Sequence, residues 1–172
     1  MIPEVEWLLT VIGPVVDSVA TDYDATVVRV DRNTPRVYRC SGTLSDADSR
    51  RTKEVGLEHQ AAVGVAYTEE SSTPIGIGYD YDIERTASLR VEGVHLSDHG
   101  AIDPDGDHGV PFGELWRRVR RALLAERTHP DVGRPNTRYR DLVINNVTDR
   151  SPDNADYYRT DADVVFRGYE TV

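Results

Sequence analysis

The chain has 172 residues, 38% of them hydrophobic, which is enough to bury one core and short enough for a single domain over residues 1–172. Its 30 acidic residues against 20 basic ones give a formal net charge of −10; Asp outnumbers Glu 19 to 11, and every basic residue is Arg except Lys53. The lone cysteine, Cys40, excludes an intrachain disulfide and a cysteine-built metal centre within a protomer, no apolar run is long enough to span a bilayer, and the N-terminus lacks the basic flank of a secretory signal.

From Pro3 to Val19, residues Val5, Leu8, Leu9, Ile12, Val15, Val16 and Val19 recur at helical spacing and predict a core-facing helix. Pro3 and Glu4 suit its first turn, and Pro14 predicts a kink or a split. The polar face carries acids and no Lys or Arg, against the pattern of a membrane-surface anchor. Ala25–Val30 reads as a strand, Asp31–Pro35 as a turn and Arg36–Cys40 as the hairpin partner. Leu44–Glu54 has no sustained apolar period and predicts an exposed loop, whose Arg50-Arg51-Thr52-Lys53 is either solvated or a partner contact.

Ala61, Val63, Val65 and Tyr67 alternate with small residues, as in a central strand with one crowded face. Glu69–Pro74 has turn chemistry, and Thr86–Val94 alternates as a half-buried strand with a charged outer face. Between them, Ile75-Gly-Ile-Gly78 precedes no helix and lacks a third glycine, so it makes a poor dinucleotide loop. The expectation for 68–110 is a long loop or hairpin insertion.

Residues 95–114 hold the candidate chemistry. Asp103, Asp105 and Asp107 alternate on a tight turn and Glu114 follows Asp103 at the offset of a bidentate calcium ligand, yet the position that needs glycine is His108. This loop is either a weak cation site or a solvated acidic loop. His95, His99 and His108 form a second, zinc-like possibility, but Leu96 stands where the catalytic motif has glutamate, and Ser97, Asp98 and Gly100 oppose a helix. No phosphate-loop Lys, nucleophile elbow or Cys/His pairing occurs, and no cofactor is implied.

Pro111–Glu126 predicts a second helix with Leu115, Trp116, Val119, Ala122 and Leu123 on its apolar stripe. Arg117, Arg118, Arg120 and Arg121 share the remaining surface and reverse the local charge. They either pair with neighbouring acids such as Glu114 or meet an acidic neighbouring subunit. Specific nucleic-acid binding is disfavoured, since aromatic interleaving is absent. Arg140–Val147 then reads as a strand, Thr148–Asn154 as a turn-rich loop, and Asp156–Glu170 as a final strand that closes the sheet over Ala162–Tyr169. Val164 and Phe166 fall on one face and Val165, Arg167 and Tyr169 on the other. The fold expected is α+β: a mixed, mostly antiparallel sheet of about five strands with two long helices packed on one face.

Short carboxylates without Lys resemble the surfaces of proteins from extreme halophiles, where molar salt shortens the Debye length to about 3 Å. An acidic mesophilic protein of a GC-rich genome would share the Arg-for-Lys bias. The element order, with Tyr, Arg and Asp ahead of Asp163-Val-Val-Phe-Arg-Gly-Tyr-Glu170, resembles the tail terminator (tail completion) proteins of long-tailed viruses. The resemblance covers element order over most of the chain and pattern over its C-terminal segment. It implies a virion structural protein rather than an enzyme. Such a protein forms a homo-oligomeric ring of six subunits at the head-proximal end of the tail, stops tail-tube polymerisation and joins the tail to the head connector. With the halophilic composition it implies a haloarchaeal tailed virus, with assembly in the host cytoplasm and residence in the virion neck. The partners implied are the tail tube protein and the head–tail connector or stopper, with no membrane. The 68–110 region exceeds what compact members need, so a stopper or connector role stays open, as does a small metal-binding enzyme or binding protein built on 95–114.

Overall fold

Pro3 opens helix α1 (Pro3–Tyr23), where a missing N–H costs nothing, and Glu4 and Glu6 lie in a first turn that favours negative charge. The helix stops at Asp24, which takes the left-handed conformation (φ 49°, ψ 47°) and returns its N–H to Ala20. A computed structural model describes residues 1–39, 44, 48–51, 60–94, 112–153 and 157–172. Val5, Leu8, Leu9, Ile12, Val16 and Val19 are buried, as the spacing predicts. The expected break at Pro14 does not occur, because α1 is one helix through it. Pro14 cannot donate to the preceding turn, and beside that gap Arg29 Nη1 donates to the Leu9 carbonyl oxygen at 2.9 Å. Gly13 makes the space, since a Cβ there would sit 2.9 Å from the same nitrogen.

β1 (Val27–Asp31) and β2 (Arg36–Arg39) form the expected antiparallel hairpin, and β3 (Asp48–Arg51) pairs with β2 at the sheet edge. The 44–54 segment thus contains a strand where a loop is expected; Arg50 and Arg51 lie in it, while Cys40 and Lys53 fall outside the described residues. β4 (Ala61–Pro74) lies parallel to β1, and β5 (Asp80–Val94) returns antiparallel along its whole length. Glu69–Pro74 is therefore strand rather than turn. Ile75 N–H donates to the Asp80 carbonyl at 2.9 Å and Gly76 takes a positive φ of 65°, so 75–79 is the hairpin's end.

Helix α2 (Phe112–Ala125) buries Phe112, Leu115, Val119 and Leu123. β6 (Thr137–Asp149) runs longer at both ends than the apolar pattern indicates; a 3-10 turn (Ser151–Asp153) leads to β7 (Tyr157–Thr171). The order across the mixed sheet is β3-β2-β1-β4-β5-β7-β6, seven strands rather than about five, and the C-terminal strand lies inside the sheet between β5 and β6. The class is α+β as expected. Gly168 on β7 permits this crossing, because a Cβ there would collide with the Arg138 carbonyl and lie 2.6 Å from Tyr139 Cα.

Val63, Val65, Ala87, Leu89, Val91, Val164 and Phe166 alternate along β4, β5 and β7 and share one cluster with the buried stripes of both helices. Trp7 meets Phe166 edge-on at 5.6 Å, and Tyr139 tilts against Phe166 at 5.2 Å. Each fully buried Val, Leu or Phe of this cluster contributes roughly 1.5–3 kcal/mol on removal from water. Facing the other way, Val28, Val30 and Val37 make a small separate cluster with Ala62. No helix among the described residues is long and apolar enough to cross a membrane.

Candidate interface site

Of the sequence candidates, Asp103, Asp105 and Asp107, like His95, His99 and His108, lie outside the described residues. Glu114 is described, and arginines hold it. Arg117 Nε and Nη2 donate to its two carboxylate oxygens at 2.8 and 2.6 Å, and Arg118 Nε donates at 2.8 Å. Those hydrogen bonds lower its pKa to about 2. Among the described residues, no group of three His, Cys, Asp or Glu is placed to hold a metal ion.

The four arginines of α2 divide into two pairs. Arg118 also donates from Nη1 to Asp22 at 2.8 Å and lies 5.6 Å over the Tyr23 ring, which ties α2 to the end of α1. Arg117 is held by Glu114. Arg120 and Arg121 are exposed and have no side-chain partner among the described residues. Trp116, one turn before Arg120, is half-buried against the core, and no atom among the described residues lies within 4 Å of a Cβ built on Gly113.

A second charged constellation lies where β4–β7 pass the N-terminus of α1. Fully buried Glu4 accepts from Arg134 Nε and Nη2, both at 2.8 Å, and from the Tyr139 hydroxyl at 2.5 Å. Tyr139 in turn accepts from Arg85 Nη1 at 3.0 Å. Arg85, 2% exposed, donates from Nε to Glu70 at 3.0 Å and from Nη2 to Glu170. The Tyr67 hydroxyl closes the chain on Glu70 at 2.6 Å. Burial raises the Glu4 pKa, but the bonds from Arg134 and Tyr139 outweigh it and hold the carboxyl below its ordinary range. Burial and the Glu70 bond push Tyr67 up to about 12; burial and Glu4 push Tyr139 up as well. Glu4 and Glu70 thus stay ionised and both phenols stay neutral around pH 7, so these four groups brace the sheet rather than exchange protons there. The signals for this network lie in the pattern: Arg85 occupies the same strand face as Ile83 and Ala87, and Glu4 precedes Leu8 by one helical turn. A charge on an apolar face requires a partner, and the partner comes from distant sequence.

Beyond this brace the β4–β5 hairpin ends in exposed apolar groups: Ile75, Ile77 and Tyr79, with Ile77 fully exposed. Val172, also exposed, joins them by donating its N–H to the Tyr79 carbonyl at 2.9 Å. Below the tip, Asp80, Asp82 and Glu84 share one face of β5, and a depression of about 150 Å³ opens beside Glu84 among Glu69, Asn145 and Arg167. On that face Arg167 makes two 2.8 Å bonds to Asp141, and Arg159 grips Asp161 at 2.9 and 2.7 Å.

The molecule therefore offers two surfaces of opposite character: an acidic hairpin with an apolar end, and a helix face with two guanidinium groups that have no side-chain partner among the described residues. Among the described residues, neither surface brings a nucleophile, a base and an anion-stabilising group together. Both are suited to contact. No protein-family model and no curated protein matches the chain.

Proposed function

We propose that this chain is a structural virion protein, a tail terminator of a haloarchaeal tailed virus. Six copies form a ring at the head-proximal end of the tail, halt tail-tube polymerisation and join the tail to the head connector. The buried stripes of both helices share one hydrophobic cluster with β4, β5 and β7, and in this reading the β4–β5 hairpin meets the neighbours. The work is assembly and not catalysis.

The observation that carries this proposal is the hairpin end. Ile75, Ile77, Tyr79 and Val172 are each exposed at this end of the sheet on a chain of net charge −10, and large apolar side chains exposed near one another mark surfaces that another protein covers. The element order adds to it, with the last strand, β7, running the length of β5 inside the sheet. The test is electron microscopy of tail tubes polymerised in molar KCl with and without this protein. Tubes of uniform length carrying a ring at one end are expected. Tubes that grow unchanged, with the protein bound to isolated connectors instead, would assign the stopper role.

A further inference from the structure

We infer that the β4–β5 hairpin end of one copy docks on the exposed face of α2 in the next copy. This interface presupposes the ring proposed above and gives it a contact.

The charges of the two surfaces complement each other. Residues 68–86 carry Glu69, Glu70, Asp80, Asp82 and Glu84 against the single Arg85. Arg85 is buried and committed to Glu70 and Glu170, so Asp80, Asp82 and Glu84 remain as a like-charged row on one face of β5. Helix α2 inverts this balance: Glu114 is committed to Arg117 and Arg118, and Arg120 and Arg121 have no side-chain partner among the described residues. Among the described residues Asp80 and Asp82 form no ion pair within their own copy, while Glu84 lies beside an Arg167 that is itself committed to Asp141.

The apolar parts match as well. Tyr79 and Ile77 at the tip would meet groups suited to receive them: arginine stems, the half-buried Trp116 and Gly113, over which no described residue lies within 4 Å. A guanidinium can hold a carboxylate bidentately and also stack on a phenol, and the chain pairs these groups elsewhere, with Arg140 lying 5.8 Å over the Tyr169 ring. Such close contacts survive an ionic strength at which the Debye length falls to about 3 Å. The two surfaces are different parts of the chain, so the contact is head-to-tail and propagates around a ring until it closes.

Two charge-reversed variants test it by light scattering in molar KCl. R120E/R121E presents acid to acid, and D80R/D82R presents base to base. Each alone is expected at the protomer mass of 19.2 kDa, with its thermal transition kept, because all four positions are exposed. Mixed in equal amounts, the two are expected to return to the parent's mass, since copies alternating around an even-numbered ring satisfy every contact. A mixture that stays at the protomer mass, or either variant assembling alone as the parent does, would overturn the interface while the ring stands. A parent that is monomeric in molar KCl both alone and with tail tubes overturns both. Should a charge variant lose its thermal transition, Ile77→Asp replaces it: the protomer mass is expected, and the parent's mass would overturn the contact.

Discussion

Glu4 has no exposed surface and three donors, two from Arg134 and one from Tyr139. Removing it leaves a guanidinium and a phenol facing a space built for a carboxylate, so Glu4→Ala should cost about 3 kcal/mol in urea unfolding at molar salt. Asp141→Ala, on the open sheet face, removes an equally well-formed bidentate pair with Arg167. The side chains there are about a third exposed, at 36% and 31%, so the loss should stay below about 1 kcal/mol. Such pairs also give the excess of Arg over Lys a use, because Lys presents no planar fork to a carboxylate. Stability should also depend on pH at both ends. Glu4, Glu70, Glu114, Asp141 and Asp161 are all held below their ordinary values, so the stability they contribute is present above the ordinary carboxylate range and lost as pH falls through the lowered values, about 2 for Glu114. Tyr67 is raised from 10.0 to about 12, and its contribution is present below pH 10 and lost as pH rises through that interval. Melting temperature against pH should therefore show a broad plateau with losses at both ends. A loss already complete at pH 5 would contradict the carboxylate assignments.

At the scale of elements, Gly168 fixes how closely β6 and β7 approach. Gly168→Ala places a methyl against the backbone of Arg138 and Tyr139, neither of which can yield without breaking the ladder, and should cost about 3 kcal/mol or more in denaturant unfolding. Gly78→Ala, at the hairpin end with no described residue within 4 Å of the added methyl, should change stability by under about 0.5 kcal/mol. Both helices were legible because one face of each is buried, and a 3.6-residue period survives any later detail of packing. The β1–β2 hairpin and the inner halves of β4, β5 and β7 were legible for the matching reason in strands. Glu69–Pro74 was not. Its side chains are exposed on both faces and its order comes from backbone bonds to β5, so no alternation marks it, and Glu-Glu-Ser-Ser-Thr-Pro reads as a turn. Pro14 misleads in a similar way, since what accompanies it is the Arg29 guanidinium from β1, a contact that local sequence does not encode. Of the candidate interface, the arginines of α2 were visible as a run. Which two are already spent became clear only once Asp22 and Tyr23 were placed beside Arg118.

For the whole molecule, the net charge of −10 opposes compaction in dilute buffer. Adaptation to molar salt predicts a melting temperature that climbs steeply from low to molar KCl as repulsion is screened. A flat curve would remove the haloarchaeal assignment and leave the acidic surface a property of an ordinary GC-rich genome. Head-to-tail contact between a hairpin end and a helix face can form an open filament or a closed ring, and the rotation between neighbouring copies decides which. The most direct measurement is therefore the molar mass of the purified chain by light scattering in molar KCl, alone and with tail tubes. A ring of six protomers of 19.2 kDa predicts a particle of about 115 kDa; a strict monomer under both conditions, or a two-fold dimer, would contradict it.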